Sequence, residues 1–204
     1  MILTLAELKT RARQTSDQEG SNFVSEPELT SIINSALGEY WDLMVLRYED
    51  YYLLDTILPV VDGKVSLPED FIKLRGVDQD LGGSFRPLDP YQFHERNDHF
   101  STPRYRLIAD HVSILGSVNQ VKLYYIPTFN RLVEDTDTFS FQANGDELVV
   151  VSAAIQMLSK EESSTTHLER RAEDLKKRIQ TAASNRDTTP QTIQDTASRR
   201  GRWP

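Results

Sequence analysis

The chain has 204 residues, 38% hydrophobic and 26% charged, with a net charge of −8. That length supports one domain with appendages, and the acidic balance argues against broad, sequence-independent nucleic-acid binding, which needs Lys and Arg to displace phosphate counterions. The lack of Cys excludes disulfides and thiolate metal sites, and no apolar run approaches the roughly 20 residues that span a bilayer.

The opening MILTLAELKTRARQ lacks the charged region, apolar region and cleavage site of a signal peptide and reads as a helix start. Thr4-x-x-Glu7 is a capping box with Leu3 and Leu8 as its hydrophobic staple, predicting a helix over about 4–14. SDQEGSN is a turn. Ser25-x-x-Glu28 repeats the box, with Val24 and Leu29 as staple and Pro27 tolerated in the first turn. The helix it opens is predicted over 26–48. Leu29, Ile32, Ile33, Ala36, Leu37, Tyr40, Trp41, Met44 and Tyr48 form one wide apolar stripe along it. Gly38 inside that helix costs about 1 kcal/mol relative to Ala, which points to a close helix crossing. The first 48 residues are thus an αα-hairpin.

From about 53 to 127 the period becomes two, and six prolines keep the strands short. VVDGKV carries Asp62-Gly63 between β-branched residues, a two-residue hairpin signal. RYRLIADHVSIL reads as a second hairpin turning near Asp110, and Val121, Leu123 and Tyr125 alternate along another strand. A short helix is expected between Tyr91 and Phe100. Asn144-x-x-Glu147 then caps a helix over 145–160, whose LVVVSAAIQML core is apolar almost all round and so buried on most sides. The last helix, 164–183, spaces Leu168, Ala172, Leu175, Ile179 and Ala182 as a heptad seam that needs a neighbour.

Residues 185–204, NRDTTPQTIQDTASRRGRWP, hold four Arg against two Asp, whereas the rest of the chain holds 19 Lys and Arg against 29 Asp and Glu. Ile193 and Trp203 are its only large apolar side chains, too few to offset the entropy of ordering it alone. A basic arm with a penultimate Trp on an acidic body is built to dock: Trp and Arg dominate interface hot spots. The alternative is a frayed solubilising end.

Catalysis leaves little trace. His94-Glu95 with His99 resembles a zinc-protease helix, but a spacing of five swings the second imidazole about 140° away from the first. His111 sits in a turn and His167 at a helix start. Gly82-Gly83-Ser84 has no Gly-Lys-Ser/Thr after it and is a turn; acidic pairs such as Glu69-Asp70 are adjacent in sequence and do not converge. No metal or cofactor is expected, and no enzyme.

The order of elements resembles the tailed-phage head-to-tail adaptor (neck, or head-completion) family. The likeness rests on TLAELKTRARQ followed by NFVSEPELTSIINSALGEYWDLM, then VSLPEDFIKLRGV, PRYRLIADHVSIL and VKLYYIPTFNRL, and covers residues 3–183. It implies a structural virion protein of the neck, assembled in the host cytoplasm, that forms a dodecameric ring beneath the portal. Genomic DNA would pass through the channel without sequence-specific binding, and a tail or nozzle protein would dock below. No membrane is involved. In this reading the chain is α+β. It is a helical bundle, the αα-hairpin plus two C-terminal helices, with an inserted small antiparallel sheet; residues 1–184 form the adaptor domain and 185–204 an extended arm. Ile193, Arg199, Arg200, Arg202, Trp203 and Pro204 would anchor the arm in the portal. Tyr40, Trp41, Leu168, Leu175 and Ile179 would pack between subunits. Two rivals stand beside it: a cellular adaptor or regulator using the arm as a ligand, and a small metal-dependent hydrolase built on His94, Glu95 and His99.

Overall fold

The computed structural model describes residues 1–20, 23–47, 50–98 and 102–184. Its elements are β1 (Ile2–Thr4), α1 (Leu5–Thr15), α2 (Glu26–Arg47), β2 (Leu54–Pro59), β3 (Lys64–Ser66), β4 (Phe71–Asp80), β5 (Phe85–Pro87), β6 (Asp89–Pro90), a 3-10 turn (Phe93–Glu95), β7 (Arg104–Ile108), β8 (His111–Leu115), β9 (Gln120–Pro127), β10 (Thr138–Ser140), α3 (Gly145–Lys160) and α4 (Thr166–Ser184). The fold is α+β, with four α-helices among the described residues and largely antiparallel sheets. Tyr48, Phe100 and the whole 185–204 segment lie outside the described residues.

Helix α1 starts where its capping chemistry dictates. Glu7 N–H donates to Thr4 Oγ1 at 3.2 Å, and the Glu7 carboxylate accepts the Thr4 N–H at 2.8 Å. Leu3 and Leu8, the staple pair, are buried, as are Val24 and Leu29 at the head of α2. There Glu28 reaches back to the Ser25 N–H, although its main partner is Lys160 at the end of α3. Asn144 departs from expectation. It sits at the α3 start in the left-handed region, φ 64°, and makes no side-chain cap. Ala143 (φ 50°) is left-handed as well, so the chain turns sharply to lay Gly145 against Tyr40; Asn tolerates that backbone better than most residues.

Helices α2 and α3 run antiparallel. Lys160 meets Glu28 at one end, and Gly145 lies under the Tyr40 ring at the other. A Cβ on Gly145 would fall 2.3 Å from that ring, so this glycine marks the close approach. Gly38 does not: nothing lies within 4 Å of where its Cβ would be. The heptad seam of α4 finds its neighbours in α3 and α2. One core collects the apolar sides of all four helices together with Leu3, Leu132, Phe139 and Phe141.

The β region is larger than the single small sheet expected. Two four-stranded sheets, β2-β9-β4-β5 and β3-β8-β7-β6, enclose a second core of Val65, Val77, Leu88, Val112, Ile114, Val121, Leu123 and Tyr125. Alternation places Val121, Leu123 and Tyr125 of β9 on that inner face. Asp62 (φ 52°) and Gly63 (φ 71°) make the expected two-residue turn, closed by one Val61–Lys64 bridge. The strands it joins then part, β2 to β9 and β3 to β8. The hairpin of β7 and β8 turns at Ala109 and Asp110. Of the helix expected between Tyr91 and Phe100, the described part is the one 3-10 turn. No helix among the described residues is long and apolar enough to cross a membrane.

Candidate functional site

The arm residues Ile193, Arg199, Arg200, Arg202, Trp203 and Pro204 lie outside the described residues. The residues expected to pack between subunits are placed, and all five are buried inside one chain's own core. Tyr40 is fully buried, its hydroxyl accepting the Gln142 N–H at 2.9 Å and donating to the Gln142 carbonyl at 3.1 Å. Trp41 stacks on Tyr52 with ring centroids 3.6 Å apart. Leu168, Leu175 and Ile179 form the covered seam of α4. Within one chain these five side chains pack in its own core, and Trp41 also borders an open cleft.

Of the residues of the hydrolase alternative, Glu95 has local partners. Glu95 accepts the Gln92 N–H at 2.6 Å and faces Arg104 at 3.7 Å. His111 bonds Asp110 at 2.9 Å. His99 lies outside the described residues, and among the described ones no group of three His, Cys, Asp or Glu could hold a metal ion.

The built features of the surface lie where the two cores meet. A cleft of about 610 Å³ opens between Trp41, Tyr51, Tyr52, Leu53 and Leu54 on one side and residues 137–140 on the other. Its far wall is a strand edge. Phe141 N–H donates to the Met1 carbonyl at 2.7 Å, and Leu5 N–H to the Asp137 carbonyl at 2.9 Å. Leu3 and Phe139 pair between them, so the backbone groups of residues 137, 139 and 141 face β1. Those of Thr138 and Ser140 therefore face away, towards the cleft. One step further on, the outward groups of Gln142 are taken by the Tyr40 hydroxyl. Among the described residues β10 pairs with β1 alone, so its cleft edge carries open donors and acceptors. The Tyr52 hydroxyl is also buried here without a hydrogen bond of acceptable geometry, and burial pushes its ionisation well above the usual tyrosine range.

Beside the cleft, residues 131–135 border a second groove over α1 and α2. Asn34 clamps this segment, accepting the Leu132 N–H and donating to the Leu132 carbonyl, both at 2.8 Å. Asp137 accepts the Val133 and Glu134 N–H groups at 2.7 and 2.9 Å, which hold its carboxyl below the ordinary range. Lys9 bridges Asp135 at 2.7 Å and Glu26 at 3.4 Å. Burial works against its charge, but the two carboxylates prevail and its pKa is raised. Glu26, bonded first by Arg13, is lowered in turn. The loop is thereby fixed with Val133, 71% exposed, held out to solvent. The chemistry offered by both features is recognition of another chain: open backbone groups, aromatic walls and a rigid loop.

Sequence reading missed the cleft because β1 and β10 are three-residue strands with 133 residues between them. The only local signal was the alternation of Phe139 and Phe141. No curated protein matches the chain. The family model described as SU10 adaptor protein matches residues 3–201, nearly the whole length, and the phage-adaptor likeness of its motifs points the same way. The chain therefore belongs to the SU10 adaptor protein family, a family of structural phage adaptors.

Proposed function

We propose that the protein joins the head of a phage particle to its tail, as a ring of identical subunits seated beneath the portal. The observation that carries this reading is the match of the adaptor family over residues 3–201, together with a basic twenty-residue segment following α4 on an acidic body. In a closed heterologous ring each subunit offers one face to the next, and twelve copies present twelve arms. The arm docks on the portal through Arg199, Arg200, Arg202 and Trp203, with Ile193 and Pro204 contributing apolar surface. Many weak arms acting together give avidity without strong individual affinity. Ordering on contact makes assembly sequential, because the arm's site exists only once the portal ring is complete. The channel extends the portal's, and the acidic body gives passing DNA no gain from counterion release. A tail or nozzle protein docks on the opposite face.

Deletion of residues 185–204 tests the reading. The truncated protein is expected to unfold at the same denaturant midpoint, within about 0.5 kcal/mol, yet to be missing from particles. Normal occupancy of truncated subunits beneath the portal would overturn it.

A further inference from the structure

We propose that the sheet β2-β9-β4-β5 continues from one copy of the chain to the next, the open edge of β2 taking β5 of a neighbouring copy as a further strand. This rests on the ring reading and deepens it by naming the seam. The first support is that both ends of the sheet are unpaired among the described residues, β2 holding β9 alone and β5 holding β4 alone. Val60 N–H donates to the Asn119 carbonyl at 2.9 Å. Alternation along the ladder therefore turns the backbone groups of Asp55, Ile57 and Pro59 away from β9. On β5, Leu81 N–H donates to the Ser84 carbonyl and Leu88 N–H to the Val77 carbonyl, both at 2.9 Å. These bonds turn the groups of Phe85 and Pro87 away from β4 in the same way.

The second support is direction and register. Three antiparallel pairings separate β2 from β5, so the two edges run in opposite directions. A rotation about an axis along the strands keeps both directions and sets β5 of one copy antiparallel to β2 of the next, a head-to-tail contact that can close. Two prolines then choose the register. With Ile57 opposite the next copy's Phe85, these residues exchange both bonds, and Asp55 N–H reaches the Pro87 carbonyl. A shift by two residues in either direction loses one of these bonds, because Pro59 and Pro87 have no N–H.

The third support is the side chains. Ile57 (48% exposed) and Phe85 (38%) lie on the outer face of the sheet and would cover each other across the seam. The edges also differ in sign, Asp55 on β2 and Arg86 on β5. Two β2 edges placed together would gather like charges and leave Phe85 bare. A seam this short falls well below the roughly 1,000 Å² of a stable interface, so pairs of copies are weak and closure of the ring supplies the rest.

The chain has no Cys, so introduced thiols report the seam directly. Paired residues with Cα atoms about 5.5 Å apart are within disulfide reach. Within one chain residues 57 and 85 are separated by three strand spacings, about 14 Å, which excludes an internal bond. Full-length Ile57→Cys and Phe85→Cys proteins are mixed and mildly oxidised, with the exposed Ile72→Cys as the measure of random collision and circular dichroism as the check on folding. Dimers joining residues 57 and 85 are expected to exceed the homodimers of either variant at least about tenfold. The Ile57→Cys/Phe85→Cys double variant should give a ladder beyond the dimer. Mixed dimers no more abundant than those of Ile72→Cys overturn the proposal, and so does a predominance of bonds between two copies of residue 57, which would make the contact two-fold. The ring reading fails separately: the protein would then be missing from particles although the 57–85 bond forms in solution. Failure of the seam alone would show normal occupancy beneath the portal with no such bond.

Discussion

Two glycines in the helical core carry opposite consequences. Gly145 lies under a tyrosine ring that cannot swing aside, because the Tyr40 hydroxyl is held twice by Gln142. Gly145→Ala is expected to cost about 1–3 kcal/mol by overpacking. Gly38→Ala meets nothing within 4 Å and should stabilise by roughly 0.5–1 kcal/mol. Urea unfolding of the two variants reads the signs directly; a destabilised Gly38→Ala would show that the site is crowded after all. The sequence placed the crossing at the wrong glycine, since a helix interior marks a cost without showing what the space is for. The same limit applied to Tyr40, Trp41 and the α4 seam. An apolar stripe looks identical whether it covers its own core or another subunit's.

At the scale of elements, the helices were legible because caps and periodicity are local. The box at Thr4 and the stripe of α2 needed no knowledge of the rest of the chain. Strand partnering was not legible. Asp62-Gly63 does turn the chain, but β3 belongs with β8, more than 40 residues on, and no local pattern encodes that choice. The clamped loop above α1 and α2 has its own pH signature. The carboxyls of Asp137 and Glu26 titrate below their ordinary values of 3.8 and 4.5 because N–H groups and Arg13 bond their charged forms. A depressed carboxylate contributes stability that is complete above its unfolded value and lost as pH falls through the folded one. Denaturant midpoints should therefore hold steady above about pH 5 and fall below pH 4. Asp137→Asn should lower the midpoint at neutral pH and make the acid loss shallower; an unchanged acid slope would count against this role.

For the molecule as a whole, two hydrophobic cores share no buried residue. They meet through the Asp50–Arg75 ion pair at 3.0 Å and the walls of the cleft. Leu123→Ala, wholly inside the sandwich core, is expected to cost about 2–5 kcal/mol there. Amide exchange should quicken across β4, β8 and β9 while α3 keeps its protection; equal loss in α3 would mean that the two cores melt as one. The register of β2 on β9 adds something else. Leu54 pairs with Tyr125, so the polypeptide departs for the sandwich and comes back through a single doorway about 5 Å wide. Anything threaded through so narrow a doorway can be exchanged for a foreign fold without rerouting the helices behind it. Evolution, or an engineer, could thus refit the β module of such an adaptor while leaving its helical core alone.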